Sequence, residues 1–217
     1  MDIEQIVKSR YTAKAFDPTR KIEPALVDKI ESILRYSPSS TNSQPWHFFI
    51  VGTEEGKARL QKALTGRYAF NGEKIRDASH AVLLCHRATI DETYLREVLA
   101  QEASDGRFAD DKAMEGQHQG RSYFVNRHRF ELRDAQHWMD KQLYLSLGFL
   151  LLGAATLGID ACPIEGFDQV AMDEELGLRA QNLNSSVLVA LGYHSDKDFN
   201  ANLPKSRLPA NKLITKL

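Results

Sequence analysis

Short stretches with alternating basic residues occur near both ends of the chain. Arg10, Thr12 and Lys14 are spaced by two, so on extended backbone their polar side chains point to one face. Lys205 and Arg207 repeat this spacing in a loop bounded by prolines. Neighbouring ammonium and guanidinium groups are suited to binding a phosphate. If folding brings the two stretches together they form a phosphate clamp, whereas each stretch alone is typical of a solvated charge cluster.

Two further segments carry polar groups in constrained backbone. Between Pro38 and Pro45 the chain supplies hydroxyl and amide side chains, which suit an uncharged, sugar-like ligand or simply cap a helix. The segment from Pro163 to Gly166 follows an expected strand. A turn there either exposes backbone N–H groups to a ligand or only ends the strand.

Charge and motif content exclude several function classes. The 28 Lys and Arg residues balance 29 Asp and Glu residues, so no global field draws the chain to nucleic acid or an anionic membrane. The chain has no G-x-G-x-x-G, G-x-x-x-x-G-K-[ST], H-E-x-x-H or G-x-S-x-G motif. His80 and His86 would lie roughly 20 Å apart on one strand, so no metal site is expected.

The remaining composition predicts a cytoplasmic protein without a membrane anchor. The first ten residues contain no apolar signal segment, and the longest apolar run, Leu147 to Ala155, is interrupted by two glycines and is too short to span a bilayer. Cys85 and Cys162 each lie in an apolar stretch, which favours buried, reduced thiols.

Hydrophobic spacing predicts the helices that must position these residues. A short helix should begin after Asp2 and end near Ser9, and a second should follow Pro24. Further helices are expected within 53–63 and 71–78. The proline-free stretch 91–157 predicts long helices, the last of which would carry Trp138, Gln142, Leu145 and Phe149 on one face.

Four apolar runs predict a sheet. Residues 48–51 and 81–85 are expected to form buried central strands, and 159–162 and 185–193 to supply two more. Residues 213–217 alternate apolar and polar side chains, a pattern suited to pairing with a sheet edge.

Five motifs occur in order along the chain: RYTAKAF at 10–16, SPSSTNSQPWHF at 37–48, FNxxK at 70–74, PIEGF at 163–167 and LPKSRLP at 203–209. Together they resemble the FMN-dependent, oxygen-insensitive NAD(P)H nitroreductase family, in particular its group B and the related NAD(P)H:flavin oxidoreductases. The resemblance runs from residue 1 to about residue 210. It implies an α+β fold in which a central, mostly antiparallel sheet is flanked by long helices, with one domain over 1–217. It also implies an intertwined homodimer with two active sites at the subunit interface.

The resemblance also implies which residues bind FMN. The phosphate and lower ribityl chain would be surrounded by Arg10, Thr12, Lys205 and Arg207, and the pyrimidine edge by Lys14, Asn71 and Lys74. The isoalloxazine would meet Pro163, Ile164, Glu165 and Gly166, with the Glu165 amide near N5. The partner subunit would supply Pro38, Ser39, Ser40, Asn42 and Gln142. Tyr11 is included with the cofactor residues, although close family members often have His-Ser where this chain has Tyr11-Thr12.

The acceptor pocket would be lined by Thr41, Phe70 and Phe124, where aromatic rings can cover the flavin and select flat substrates. The resemblance implies that FMN carries the chemistry, with NADH or NADPH as electron donor, so no side chain is expected to be a nucleophile or a dedicated acid or base. The expected reaction is two-electron, ping-pong reduction of small aromatic acceptors such as nitroaromatics and quinones.

Other functions remain open at this stage. Within the family, the alternatives are an NAD(P)H:flavin oxidoreductase that releases reduced flavin and a dihydropteridine reductase. An alternative of another class is a non-catalytic flavin-binding protein, which would keep the cofactor motifs but close the space above the flavin.

Overall fold

The computed structural model describes residues 2–217, and its first half alternates short helices with two strands. The helices are α1 (Ile3–Ser9), α2 (Pro24–Arg35), α3 (Glu54–Gln61) and α4 (Gly72–Asp77). Their starts follow from the sequence, because the Asp2 carboxylate accepts from the Glu4 amide and the Thr53 hydroxyl accepts from the Gly56 amide. Pro24 occupies the first turn of α2, where its missing N–H costs nothing. The predicted helices in this half are confirmed.

One four-stranded antiparallel sheet forms the centre. Its strands are β1 (Trp46–Val51), β2 (His80–Arg87), β3 (Asp160–Ile164) and β4 (Leu183–Gly192), in the order β1-β2-β4-β3. All ten residues of β4 are buried. The predicted α+β class with an antiparallel sheet is confirmed.

Long helices occupy the stretch without proline, as predicted. They are α5 (Glu92–Ser104), α6 (Asp111–Asn126) and α7 (Ala135–Thr156), and a π-helical turn, Arg127–Glu131, follows α6. The short helices α8 (Gln169–Leu176) and α9 (Ala210–Leu213) complete the α-helices of residues 2–217, and short 3-10 helices occur at Ser40–Asn42, Gly66–Asn71 and Arg179–Gln181.

The sheet separates two apolar cores because side chains alternate along each strand. Leu83 of β2 points to the core that includes Ile75 and Met172, and Leu84 points to the core that includes Leu143 and Leu150 of α7. Both cysteines are buried and reduced, as predicted. Helix α7 therefore covers one face of the sheet and fixes the positions of the residues it carries.

Two predictions about the strands need correction. Strand β1 is an edge strand with half-buried side chains, because it pairs with β2 on one side only. Pro163 and Ile164 lie within β3, where an edge strand tolerates a residue without an N–H, so the turn starts at Glu165. The tail 213–217 is exposed and pairs with no strand within residues 2–217, so its pairing with a sheet edge stays a prediction.

The expected face of α7 is divided between core and solvent. Trp138 and Gln142 are buried, whereas Leu145 and Phe149 are about half exposed. Since an α-helix has 3.6 residues per turn, a row spaced by three and four residues drifts around a long helix. The buried row continues instead through Ser146 and Leu150.

Candidate active site

The two basic stretches meet in the folded chain. The Lys205 ammonium donates to the carbonyl of Val7 at 2.9 Å and also to the carbonyl of Arg10, at the C-terminal end of α1. A cavity of about 320 Å³ is lined by both stretches, including Thr12 and Arg207. The spacing seen in the sequence thus produces one cationic cluster from residues nearly 200 positions apart.

The cations of this cluster repel one another. The pKa of Arg10 is lowered by burial and by Arg207, and the pKa of Lys205 is lowered by burial, by Arg10 and by Arg207. None of the three forms an ion pair with a carboxylate within residues 2–217. A bound anion would relieve this repulsion.

A loop after β4 fixes the backbone of the first basic stretch. The buried Asp198 carboxylate accepts from the Lys14 amide at 3.0 Å and from the Tyr11 hydroxyl at 3.3 Å. Asn200 donates its side-chain amide to the Thr12 carbonyl at 2.7 Å. Sequence reasoning missed Asp198 and Asn200, because a polar loop residue gives no periodic signal. Tyr11, where the chain departs from the family pattern, is tied to this loop through its hydroxyl.

A second cluster joins the motif at 70–74 to the motif at 163–167. Asn71 donates its side-chain amide to the Gly166 carbonyl at 2.8 Å, and Lys74 donates to Asn71 Oδ1 at 3.0 Å and to the Phe70 carbonyl at 2.8 Å. A Cβ on Gly166 would lie 2.9 Å from Asn71 Nδ2, so this contact needs glycine. The structure therefore brings these predicted cofactor residues together.

Lys74 and Lys14 approach each other in this cluster. Burial is the largest cause that lowers the pKa of Lys74, and the charge of Lys14 lowers it further, while Cys162 and Glu73 act in the opposite direction. Beside them, the Glu165 carboxylate accepts from the Tyr144 hydroxyl at 2.7 Å. The site thus offers two amino groups close to the end of β3.

The polar loop at 38–44 packs against α7. The Ser40 amide donates to Gln142 Oε1 at 2.8 Å, and Gln142 in turn donates to the Trp138 carbonyl at 3.0 Å. The Ser39 hydroxyl accepts from the Gln44 amide at 2.9 Å. The family resemblance placed Ser39, Ser40 and Gln142 in one group, and in the structure Ser40 contacts Gln142 directly.

Three residues of this loop have left-handed backbone, with φ of 54° at Thr41, 53° at Asn42 and 45° at Gln44. The Tyr94 hydroxyl donates to the Gln44 carbonyl at 2.5 Å. Arg121 and Glu102, on α6 and α5, bond to Thr41 and Asn42. Sequence reasoning missed these three supporting side chains, since Tyr94, Glu102 and Arg121 look like ordinary surface positions in a polar helix.

The predicted residues fall into two groups within one chain. The first comprises residues 10–14, 70–74, 163–166, 205 and 207, and the second comprises residues 38–42, Phe124 and Gln142. In the part of the chain that the structure describes, no hydrogen bond or ion pair joins one group to the other. Phe70 and Phe124 are both exposed, one in each group.

Two open surfaces adjoin these groups. A polar cavity of about 940 Å³ borders Tyr68, Tyr144 and Glu165. An apolar groove of about 600 Å³ runs along the outer face of α7 and is lined by Ile3, Tyr36, Leu145, Gly148, Phe149 and Leu152.

A family model described as the nitroreductase family matches residues 7–193. The chain belongs to the nitroreductase family. The oxygen-insensitive NAD(P)H nitroreductase of Enterobacter cloacae is 49% identical over 215 residues, covering 99% of each chain. The major NAD(P)H-flavin oxidoreductase of Aliivibrio fischeri is 30% identical, covering 96% of this chain and 95% of its own. The resemblance read from the five motifs is confirmed, and the predicted enzyme class and cofactors agree with these names.

Solved structures agree on the fold. A protein of Exiguobacterium sibiricum solved in complex with FMN superposes with a TM-score of 0.83 at 21% identity, covering 100% of this chain and 98% of that one. An enone reductase of gut-bacterial fatty acid saturation gives a TM-score of 0.80 at 22% identity, with coverage of 100% and 98%. At this identity the likeness establishes the nitroreductase fold alone.

Two kinds of feature are absent from residues 2–217. No helix within residues 2–217 is both long and apolar enough to cross a membrane. Likewise, over the same residues, no group of histidine, cysteine and carboxylate side chains is arranged to hold a metal ion.

Proposed function

We propose that this chain is an FMN-dependent oxidoreductase that takes electrons from NADH or NADPH and reduces nitroaromatics, quinones or related flat acceptors. The observation that carries the proposal is the meeting of the two basic stretches beside the paired lysines at the end of β3. Its 49% identical relatives are oxygen-insensitive NAD(P)H nitroreductases, which favours the same class of acceptor.

The cationic cluster fits the phosphate of FMN. Arg10, Lys205 and Arg207 supply charge-assisted donors. Burial, and after it the repulsion between these cations, lowers the pKa values of Arg10 and Lys205, and a bound phosphate would offset both effects. Thr12 lies in the same cavity and offers a hydroxyl to the ribityl chain. We propose that residues 1–217 form one domain. The family match covers residues 7–193, but Lys205 and Arg207, which lie beyond it, belong to the same cationic cluster as Arg10.

The second cluster fits the ring system. Bound FMN would supply the redox chemistry, by accepting a hydride and passing on two electrons. Lys14 and Lys74 would hold positive charge at the pyrimidine edge, where negative charge develops on reduction, and so raise the reduction potential. Asn71 and the turn at 165–166 orient this edge through the hydrogen bond to Gly166.

The second group of residues fits a site completed by a second copy of the chain. Pro38, Ser39, Ser40, Asn42 and Gln142 form no hydrogen bond or ion pair with the first group in the described part of one chain, and Phe124 is exposed. The apolar groove on α7 gives two copies a surface to bury, so we propose a homodimer with the active site between subunits. The exposed tail and the open edge of β1 suit strand pairing between subunits.

The acceptor would lie between Thr41, Phe70 and Phe124. Both aromatic rings are exposed and free to stack on a flat substrate.

We further infer that the enzyme works in the cytoplasm, where NAD(P)H is available. No nucleic acid or membrane partner is proposed, in line with the balanced charge.

The second candidate function is that of an NAD(P)H:flavin oxidoreductase. It is favoured by the 30% identity to an NAD(P)H-flavin oxidoreductase. In that function, reduced flavin would leave the site and serve another enzyme. A dihydropteridine reductase, the other alternative that the resemblance allows, would use the same proposed cofactor residues. A flavin-storage protein is disfavoured, because the exposed rings of Phe70 and Phe124 leave the acceptor side open in the described chain.

One anaerobic experiment separates these functions. Purified protein should be yellow with about one FMN per chain, and NADH or NADPH should bleach it within the time of a turnover. A nitroaromatic or a quinone should then restore the colour while the flavin stays bound. Bleaching followed by loss of flavin into an ultrafiltrate would indicate a flavin reductase, and slow or absent bleaching would indicate storage. Colourless protein that takes up no FMN would refute the proposal.

A further inference from the structure

An ion pair beneath the polar loop is almost completely removed from solvent. Arg121 of α6 is 1% exposed and Glu102 of α5 is 2% exposed. Arg121 Nη2 lies 2.5 Å from Glu102 Oε2. Arg121 Nε also donates to the Thr41 carbonyl at 2.9 Å, and Glu102 Oε1 accepts from Asn42 Nδ2 at 2.7 Å. The pair therefore connects two helices to two consecutive loop residues.

A buried ion pair is a weak source of stability, because desolvation of the two charges offsets most of their attraction. An apolar pair of similar volume would join α5 to α6 at least as well. It would not, however, bond to Thr41 or Asn42. The two charged side chains therefore supply hydrogen bonds to the loop that apolar packing cannot supply.

The loop needs such support because of its backbone. Thr41 and Asn42 have φ of 54° and 53°, and this left-handed region is unfavourable for a β-branched residue such as threonine. Strained backbone persists only where surrounding contacts hold it. The bonds from Arg121 and Glu102 fall on these two residues.

We propose that Glu102 and Arg121 are positioning residues of the active site. They hold Thr41 and Asn42 in the left-handed conformation that presents the loop to FMN and to the acceptor. The inference rests on the proposed function, because it takes Asn42 as a cofactor contact and Thr41 as an acceptor contact. Neither Glu102 nor Arg121 touches a ligand, and both act through the loop.

A matched control lies on the same two helices. His118 Nε2 of α6 is 2.8 Å from Glu92 Oε1 of α5, and His118 is also buried. This second polar connection between α5 and α6 involves no residue of the 38–44 loop. The variant His118→Leu, which cannot hydrogen-bond to Glu92, therefore tests the joining of the helices without disturbing the support of the loop.

The experiment uses the FMN-loaded enzyme and the double variant Glu102→Leu/Arg121→Met, which removes both charges and both loop bonds. The acceptor KM and the rate of FMN release should each rise about tenfold, as expected from the loss of two hydrogen bonds. At saturating NADH, the rate at which bound FMN is reduced should change less than the acceptor KM, since Lys14 and Lys74 are untouched. His118→Leu should leave the acceptor KM and the FMN release rate at their wild-type values.

A folded double variant with wild-type KM and FMN release would overturn the inference, while the wild-type activity would still support the proposed function. If the double variant does not fold, Arg121→Lys serves instead. It keeps a positive charge beside Glu102, but its single ammonium cannot replace both nitrogens of the guanidinium. A raised KM in Arg121→Lys supports the inference, and an unchanged KM overturns it. Wild-type protein that binds no FMN would instead refute the proposed function itself.

Discussion

At the scale of single residues, the cationic cluster determines how tightly a phosphate is held. We expect Arg207→Ala and Lys205→Ala each to weaken FMN binding by about tenfold or more, because each removes a charge-assisted contact. Flavin fluorescence titration of the apoprotein measures this. Lys29→Ala removes the same charge from an exposed position of α2 and should leave the affinity unchanged. Equal affinities in all three variants would show that the cluster does not bind the phosphate.

The same cluster predicts a dependence of FMN affinity on pH. Burial and two neighbouring cations lower the pKa of Lys205 from its usual 10.5, whereas a bound phosphate would raise it. The ammonium therefore contributes fully at pH below the pKa of the ligand-free chain, and its contribution is lost as the pH rises through the pKa of the complex. The FMN Kd should thus increase with alkaline pH before pH 10.5 is reached.

This alkaline increase should be smaller in Lys205→Ala, measured by fluorescence titration across the same pH range. Lys29→Ala is again the control, and it should keep the full wild-type increase. An identical pH dependence in wild type and Lys205→Ala would assign the titration to another group.

At the scale of secondary structure, the sequence predicted helices better than strands. The apolar spacing of α2 and α7 and the Thr53 cap of α3 depend only on nearby residues, so they can be read locally. Whether a strand lies at the centre or the edge depends on its partners, which explains why β1 was expected to be central. Pro163 shows the same limit, because a proline within an edge strand resembles a turn when its neighbours are unknown.

The two sides of α7 predict different consequences of truncation. Leu150 is completely buried in the core, and Leu150→Ala should lower the free energy of unfolding by about 2–5 kcal/mol. Phe149 is 49% exposed on the apolar groove, so Phe149→Ala should weaken dimerisation and leave the subunit core intact. Chemical unfolding and sedimentation at several protein concentrations distinguish the two effects. A dimer unaffected by Phe149→Ala would place the interface elsewhere.

At the scale of the whole molecule, the motifs predicted the components of the site but not their support. Arg10 and Lys205 were recognised by type and spacing, and their meeting depended on a fold that the family resemblance supplied. Asp198, Glu102 and Arg121 were missed because a charge that becomes buried looks like a surface charge in the sequence. Their importance arises only from contacts between distant segments.

The division of the site between two subunits predicts the behaviour of mixed dimers. One subunit would carry Arg207→Ala, which damages the phosphate cluster, and the other would carry Asn42→Ala and Gln142→Ala, which damage the loop. If each site combines the cluster of one subunit with the loop of the other, a mixed dimer contains one site with both defects and one intact site. If each site lies within one subunit, both sites of the mixed dimer are defective.

Mixed dimers isolated through two different affinity tags should therefore bind one FMN with wild-type affinity and regain about half of the wild-type activity. The two parental homodimers, prepared in the same way, should show neither. The number of tightly bound flavins is the decisive reading, because it does not depend on which acceptor the enzyme prefers. Mixed dimers that behave like an average of the two parents would mean that residues 38–42 and Gln142 serve their own subunit, and the two groups of site residues would then have to meet within one chain.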